Sequence, residues 1–100
     1  MKNYIDDLNK AFESRVRLGI MSILMVNDHV DFGTLKLQLQ ITDGNLASHI
    51  SALEKLKYIK IRKQFIDKKP NTSYFSTNAG KKAFSEHLDA LETLIKKTSY

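Results

Sequence analysis

With 100 residues, the chain has room for one domain and too little length for a second independent core. Apolar residues make up 42% and charged residues 27%, with four Gly and one Pro, which points to a globular fold and away from collagen-like or disordered classes. The formal net charge is +5. There is no Cys, which removes disulfides, thiolate metal sites and thiol nucleophiles together.

The longest uninterrupted apolar run, residues 23–26, falls far short of the roughly 20 residues that a membrane span needs. The polar start at residues 1–7 does not read as a signal peptide, so no membrane partner and a cytoplasmic location are expected.

In chain order, Tyr4, Leu8 and Phe12 recur every fourth residue and predict a short helix from about Asn3. Ser14 reads as a break or a new cap. Residues 16–26 are apolar at most positions, too densely for a single-striped surface helix, and predict a helix covered on two sides. Gly19 within it marks a close helix contact. Residues 29–32 predict a short extended link, and residues 33–40 a brief helix with Leu35 and Leu39 on one face. After a turn at residues 40–42, Thr42 can cap a helix over about 43–57, in which Leu46, Ile50, Leu53 and Leu56 form one stripe.

Residues 58–66 alternate, with Ile59, Ile61 and Phe65 on one face, as a half-buried strand should. Residues 67–71 are dense in turn formers, and residues 72–77 supply the return strand of a basic hairpin. Thr77 or Asn78 can then cap a last helix, in which Phe84, Leu88, Leu91 and Ile95 step by four, three and four. The fold class is mainly α, with an α+β character: a helix-turn-helix followed by a two-stranded β wing, flanked by N- and C-terminal helices, as one domain over residues 1–100.

Charge is concentrated. Residues 55–82 carry nine basic side chains against one acid, Asp67, and the rest of the chain is net acidic. Such a block can be a solvated face, or a patch that attracts a polyanion. Catalysis finds no support: His29, His49 and His87 are scattered without metal-ligand spacing, and there is no phosphate loop or nucleophile elbow. A grouping of His87, Asp89 and Glu92 reads as a solvated helix face. No cofactor is indicated, and no residue identifies an effector ligand.

Residues 32–80 resemble the winged-helix transcriptional regulators, in particular the compact MarR-like group, and the likeness spans nearly the whole chain. It is carried by Arg17-Leu18 with Ile23-Leu24, by Phe32-Gly33-Thr34-Leu35, by Thr42-Asp43-Gly44-Asn45-Leu46-Ala47-Ser48-His49-Ile50, and by Leu53-Glu54 with Tyr58-Ile59. Asp67-Lys68-Lys69, followed by Tyr74, Thr77 and Gly80, is similar to the family's wing. Lys69 stands where Arg is usual, exchanging a planar fork for a point charge, and Ser76 replaces the usual Leu, which weakens local packing.

The resemblance implies a double-stranded DNA partner, with the 43–57 helix in the major groove and the 58–77 wing on flanking backbone or minor groove. Opposite the apolar stripe, that helix presents Gly44, Asn45, Ser48, His49, Ala52 and Lys55, with Thr42 and Asp43 at its start. Asn can bond adenine bidentately and Ser either kind of base edge. Asn45 could instead serve only the helix cap. Arg62, Lys63, Lys68 and Lys69 would bind phosphates, supplying affinity more than sequence information, though each alone could be a plain solvated cation. Tyr4, Leu8 and Phe12 together with Phe84, Leu88, Leu91 and Ile95 would form a homodimer interface, or pack on one another within one chain. The resemblance favours a repressor. A protein-interaction module and a nonspecific architectural DNA binder are the rival readings.

Overall fold

Each of the four α-helices begins at a hydroxyl or carboxylate that accepts an otherwise unpaired backbone N–H from the first turn. The computed structural model describes residues 2–97; Met1, part of the polar start, and residues 98–100 of the expected domain lie outside the described residues. Ser14 Oγ accepts from Arg17 N (3.3 Å) and starts α1, Arg15–Met25. Asp31 accepts from Thr34 N (2.7 Å) and starts α2, Phe32–Leu39. Thr42 Oγ1 accepts from Asn45 N (3.2 Å) at the head of α3, Asp43–Lys55. Thr77 Oγ1 accepts from Gly80 N (3.0 Å) at the head of α4, Asn78–Lys97.

The strands are β1, Val30–Asp31; β2, Ile59–Ile66; and β3, Lys69–Ser76. They form one antiparallel sheet in the order β1-β3-β2. The expected two-stranded hairpin is joined by the short extended link as a third strand. Val30 is buried, and its burial draws the extended link alongside β3, where it pairs Val30 with Tyr74 and Asp31 with Ser73 and satisfies an otherwise open strand edge. The β2–β3 register runs from Ile59 opposite Ser76 to Ile66 opposite Lys69.

The hairpin turn is shorter than the composition implies. Only Asp67 and Lys68 form it, both with left-handed backbones (φ 52° and 65°), as a two-residue turn matched to strand twist requires. Residues 69–71 belong to β3.

The core is built on α1, whose Ile20, Met21 and Leu24 are fully buried together with Leu35, Leu46 and Leu53. This helix packs against α2, α3 and β3, as its dense apolar run predicts. A Cβ on Gly19 would lie 2.5 Å from Leu39 Cδ2, so the glycine does mark close approach of α1 and α2. Ser76, standing for the usual Leu, is buried and donates to the Leu24 carbonyl at 3.2 Å, tying β3 to the end of α1 by a hydrogen bond in place of apolar packing.

Several expectations are corrected. The N-terminal segment is not one helix but two 3-10 turns, Tyr4–Asp7 and Lys10–Phe12, because Asn3 and Asn9 each accept a backbone N–H two residues on, from Ile5 and Ala11, and interrupt helix propagation. Phe12 is buried in the chain's own core, stacked on Tyr58 (ring centroids 5.6 Å apart) and edge-on to Phe84 (5.2 Å). With Phe84 also buried, neither can contribute area to a partner. His87 is buried rather than solvated: Asn9 N–H donates to its Nδ1 at 3.0 Å, and Phe12 lies beside its ring. Leu56 is 46% exposed, because α3 ends at Lys55 and the chain turns away through Lys57 (φ 63°). Exposure along the apolar face of β2 rises from 1% at Ile59 through 40% at Ile61 to 77% at Phe65, so only the base of the strand is half-buried.

Candidate nucleic-acid interface

With Leu46, Ile50 and Leu53 turned into the core, α3 leaves a polar face open to solvent. Gly44, Asn45, Ser48 and Lys55 are exposed on it, and a Cβ on Gly44 would meet nothing within 4 Å, so a partner could approach the backbone closely there. Ala52 is half-buried toward the edge of this face.

Thr42 is the cap, and no hydrogen bond among the described residues engages the Asn45 side chain. The cap bond reaches the Asn45 backbone N–H, and the Asn45 side chain is exposed. Asp43, in the first turn, is held by Lys36 Nζ at 2.9 Å, an exposed pair that ties α2 to the start of α3.

His49 is half-buried, and its Nδ1 accepts from Arg17 Nε at 3.1 Å. That bond places the ring proton on Nε2, so the outer edge of His49 is a donor. Arg17 also reaches the Ala11 carbonyl (3.5 Å), bracing α3 against α1 and the N-terminal segment.

Sequence reasoning missed Ala47 and Ser51, both exposed on α3, and the part of Arg17. The spacing 44, 48, 51, 55 was the signal for Ser51, since steps of four, three and four trace one helical face. Nothing in the spacing pointed to Arg17, whose role arises from the crossing of α1 and α3.

From Lys55 the chain runs through residues 56–58 directly into β2, so the basic strand begins at the end of α3. Arg62, Lys63, Lys68 and Lys69 are all exposed along the hairpin, and Lys60 joins them. Arg62 Nη2 donates to Gln64 Oε1 at 2.9 Å, which holds the guanidinium along the strand. Lys63, Lys68 and Lys69 form no ion pair among the described residues. Asp67 serves the turn.

On α4, Leu88, Leu91 and Ile95 are exposed (46%, 41% and 65%), and Tyr4 and Leu8 are half-buried where residues 4–7 lie along that helix. Among the described residues no group of three or more His, Asp or Glu is placed to hold a metal ion. No described helix is long and apolar enough to cross a membrane.

Residues 16–95 match the winged helix DNA-binding domain family. The chain is 33% identical over 87 residues to an uncharacterized protein of Methanocaldococcus jannaschii, covering 87% of this chain and 95% of that one. Its structure is similar to that of a transcriptional regulator homologue from Pyrococcus horikoshii, with a TM-score of 0.79 and 29% identity over 95% of this chain and 99% of the other. The fold is also that of AbfR solved in its reduced form bound to DNA, with a TM-score of 0.73 and 16% identity over 90% of this chain and 64% of that one. A capped polar helix opening into a basic hairpin, on a scaffold shared with these proteins, is consistent with that match: the chain belongs to the winged-helix DNA-binding domain family.

Proposed function

We propose that the protein is a sequence-specific regulator that binds duplex DNA as a homodimer and represses by covering a promoter. The observation that carries this reading is the uncovered face of α3, where Asn45, Ser48 and Lys55 stand clear of the core beside a hairpin of exposed cations. In this reading α3 lies in the major groove. Asn45 bonds an adenine, Ser48 a base edge, and Lys55 and the outer N–H of His49 a base or phosphate acceptor. Thr42 and Asp43 set the start of the helix, and Gly44 and Ala52 allow close approach or contact with a thymine methyl. Arg62, Lys63, Lys68 and Lys69 take flanking phosphates or the adjacent minor groove.

The dimer is supported by the exposed stripe of Leu88, Leu91 and Ile95 on α4, which a second copy would cover. Two recognition helices about 34 Å apart on one side of the duplex would then read an inverted repeat. AbfR, which shares this fold, was solved bound to DNA, which supports DNA as the partner.

Selection from random duplex DNA at near-physiological salt tests the reading. An enriched inverted repeat with half-sites about one helical turn apart is the expected outcome. On that site Asn45→Ala relaxes base preference, while Lys68→Ala weakens all sequences alike and lowers the salt slope by about one. Retention without enrichment would indicate an architectural binder, and no retention a protein-interaction module; either result overturns the proposal.

A further inference from the structure

The tip of the hairpin is apolar as well as basic. Phe65 is 77% exposed, the opposing Pro70 is exposed, and Ile66, on the opposite face of the ribbon, is 47% exposed. The face that carries Phe65 begins in the core at Ile59 and Tyr74 and extends past it, leaving Phe65 largely in solvent, while Ile66 on the other face lines a cleft with Val30 and Asp31. Phe65 and Pro70 are one pair removed from the closing pair Ile66 and Lys69 of a two-residue turn. That makes theirs a non-hydrogen-bonded pair, in which side chains stand closest and the missing Pro N–H costs no ladder bond. Phe65 and Pro70, paired on one face at the end of a two-stranded ribbon, form a narrow wedge.

Its surroundings select the occupant. Lys63, Lys68 and Lys69 surround the wedge, with Asp67 the one acid at the turn. The matching surface must therefore be apolar within and polyanionic without. A base step between two phosphate backbones has that character, and a wedge of these residue types can enter it from the minor groove. A lipid surface shares the chemistry, but membrane-surface binding relies on a broad apolar face, whereas this is the width of one hairpin.

We propose that the wing of this protein is a wedge as well as a phosphate clamp: Phe65, backed by Pro70, unstacks a base step flanking each half-site and bends the duplex. This rests on the DNA-binding reading above. Flexible pyrimidine–purine steps would be favoured at the flanks, giving sequence preference where no base edge is read.

The test uses the full chain on the selected duplex, with 2-aminopurine placed at successive flanking positions and with end-labelled DNA for energy transfer. Wild type should raise 2-aminopurine fluorescence at one flanking step and shorten the end-to-end distance. Phe65→Ala should remove both effects with an unchanged salt slope, whereas Lys68→Ala at saturation should keep both and lower the slope. Because Phe65 is exposed, its removal should leave the circular dichroism and melting temperature unaltered, and Pro70→Ala provides a second variant. A bound wild type with no unstacking at any flank, or unstacking that survives both Phe65→Ala and Pro70→Ala, overturns the wedge and leaves DNA binding standing. No binding by wild type overturns the DNA reading itself. Phe65-dependent binding to phosphatidylglycerol vesicles without unstacking of DNA assigns the tip to a membrane surface instead.

Discussion

Ser73 lies on the central strand, 1% exposed, and its hydroxyl has no hydrogen-bond partner among the described residues. A buried hydroxyl without a partner loses its water and gains nothing in return, so replacing it with a methyl group should help. Ser73→Ala is expected to raise stability by up to about 1 kcal/mol in urea unfolding. A loss of similar size would show that the hydroxyl is satisfied. Gly80 presents the opposite case, because a Cβ there would overlap the Tyr58 carbonyl oxygen, which is backbone and cannot swing aside. Gly80→Ala should cost about 1–3 kcal/mol, read as a lowered midpoint with an unchanged slope. At this scale the sequence was partly legible. Gly80 was visible as part of a wing motif, but not its reason, since Tyr58 lies 22 positions away in the chain. The left-handed backbones of Gln40, Lys57 and Lys68 were invisible, because none of these positions carries the glycine that usually announces one.

Among the elements, the helix caps were the most legible feature, since a cap is a local interaction between a side chain and a backbone N–H a few residues on. Asp31 was the exception: it was read as part of an extended link, and it is both a strand residue and the cap of α2. The Thr34 backbone N–H, with help from the Thr34 hydroxyl, holds the Asp31 carboxyl below its ordinary value of 3.8. A depressed carboxyl stabilises the fold fully above the unfolded value, and that contribution is lost as pH falls through the folded one. Asp31→Ala should therefore cost about 1 kcal/mol at neutral pH. The gap between wild type and variant should close progressively below about pH 4, and a gap constant down to pH 2 would refute the charged cap. The N-terminal segment was misread because a four-residue apolar period also fits two short turns, and only the local bonds of Asn3 and Asn9 decide between them. The short extended stretch at residues 29–32 was legible, but not its pairing with β3, because two residues cannot show an alternation.

For the molecule as a whole, the concentration of positive charge in residues 55–82 translates into a salt dependence. Six phosphate contacts would lose on the order of a thousandfold in affinity between 50 and 200 mM salt. The dimer has its own test. Leu88→Glu, on the exposed stripe of α4, should shift the sedimentation mass from two chains to one while leaving the helical signal intact. A wild type that sediments as a single chain at every concentration would remove the dimer. Of the seven residues first grouped as an interface, Phe12 and Phe84 belong to the chain's own core. Sequence periodicity identifies an apolar stripe but not which neighbour covers it.

Thr77 and Gly80 join the start of α4 to the loop that leaves α3: Thr77 N–H donates to the Tyr58 carbonyl at 3.0 Å, its hydroxyl donates to that of Lys57 at 2.7 Å, and the bare Gly80 backbone rests on the same loop. This junction works as a rigid bracket rather than a swivel. In a pair of chains joined along α4, the span between the two reading heads would be set like that of a fixed caliper. An operator whose half-sites are moved apart by one base pair would have to be matched by twisting the DNA, so tolerance to spacer length would measure the stiffness of the duplex more than that of the protein.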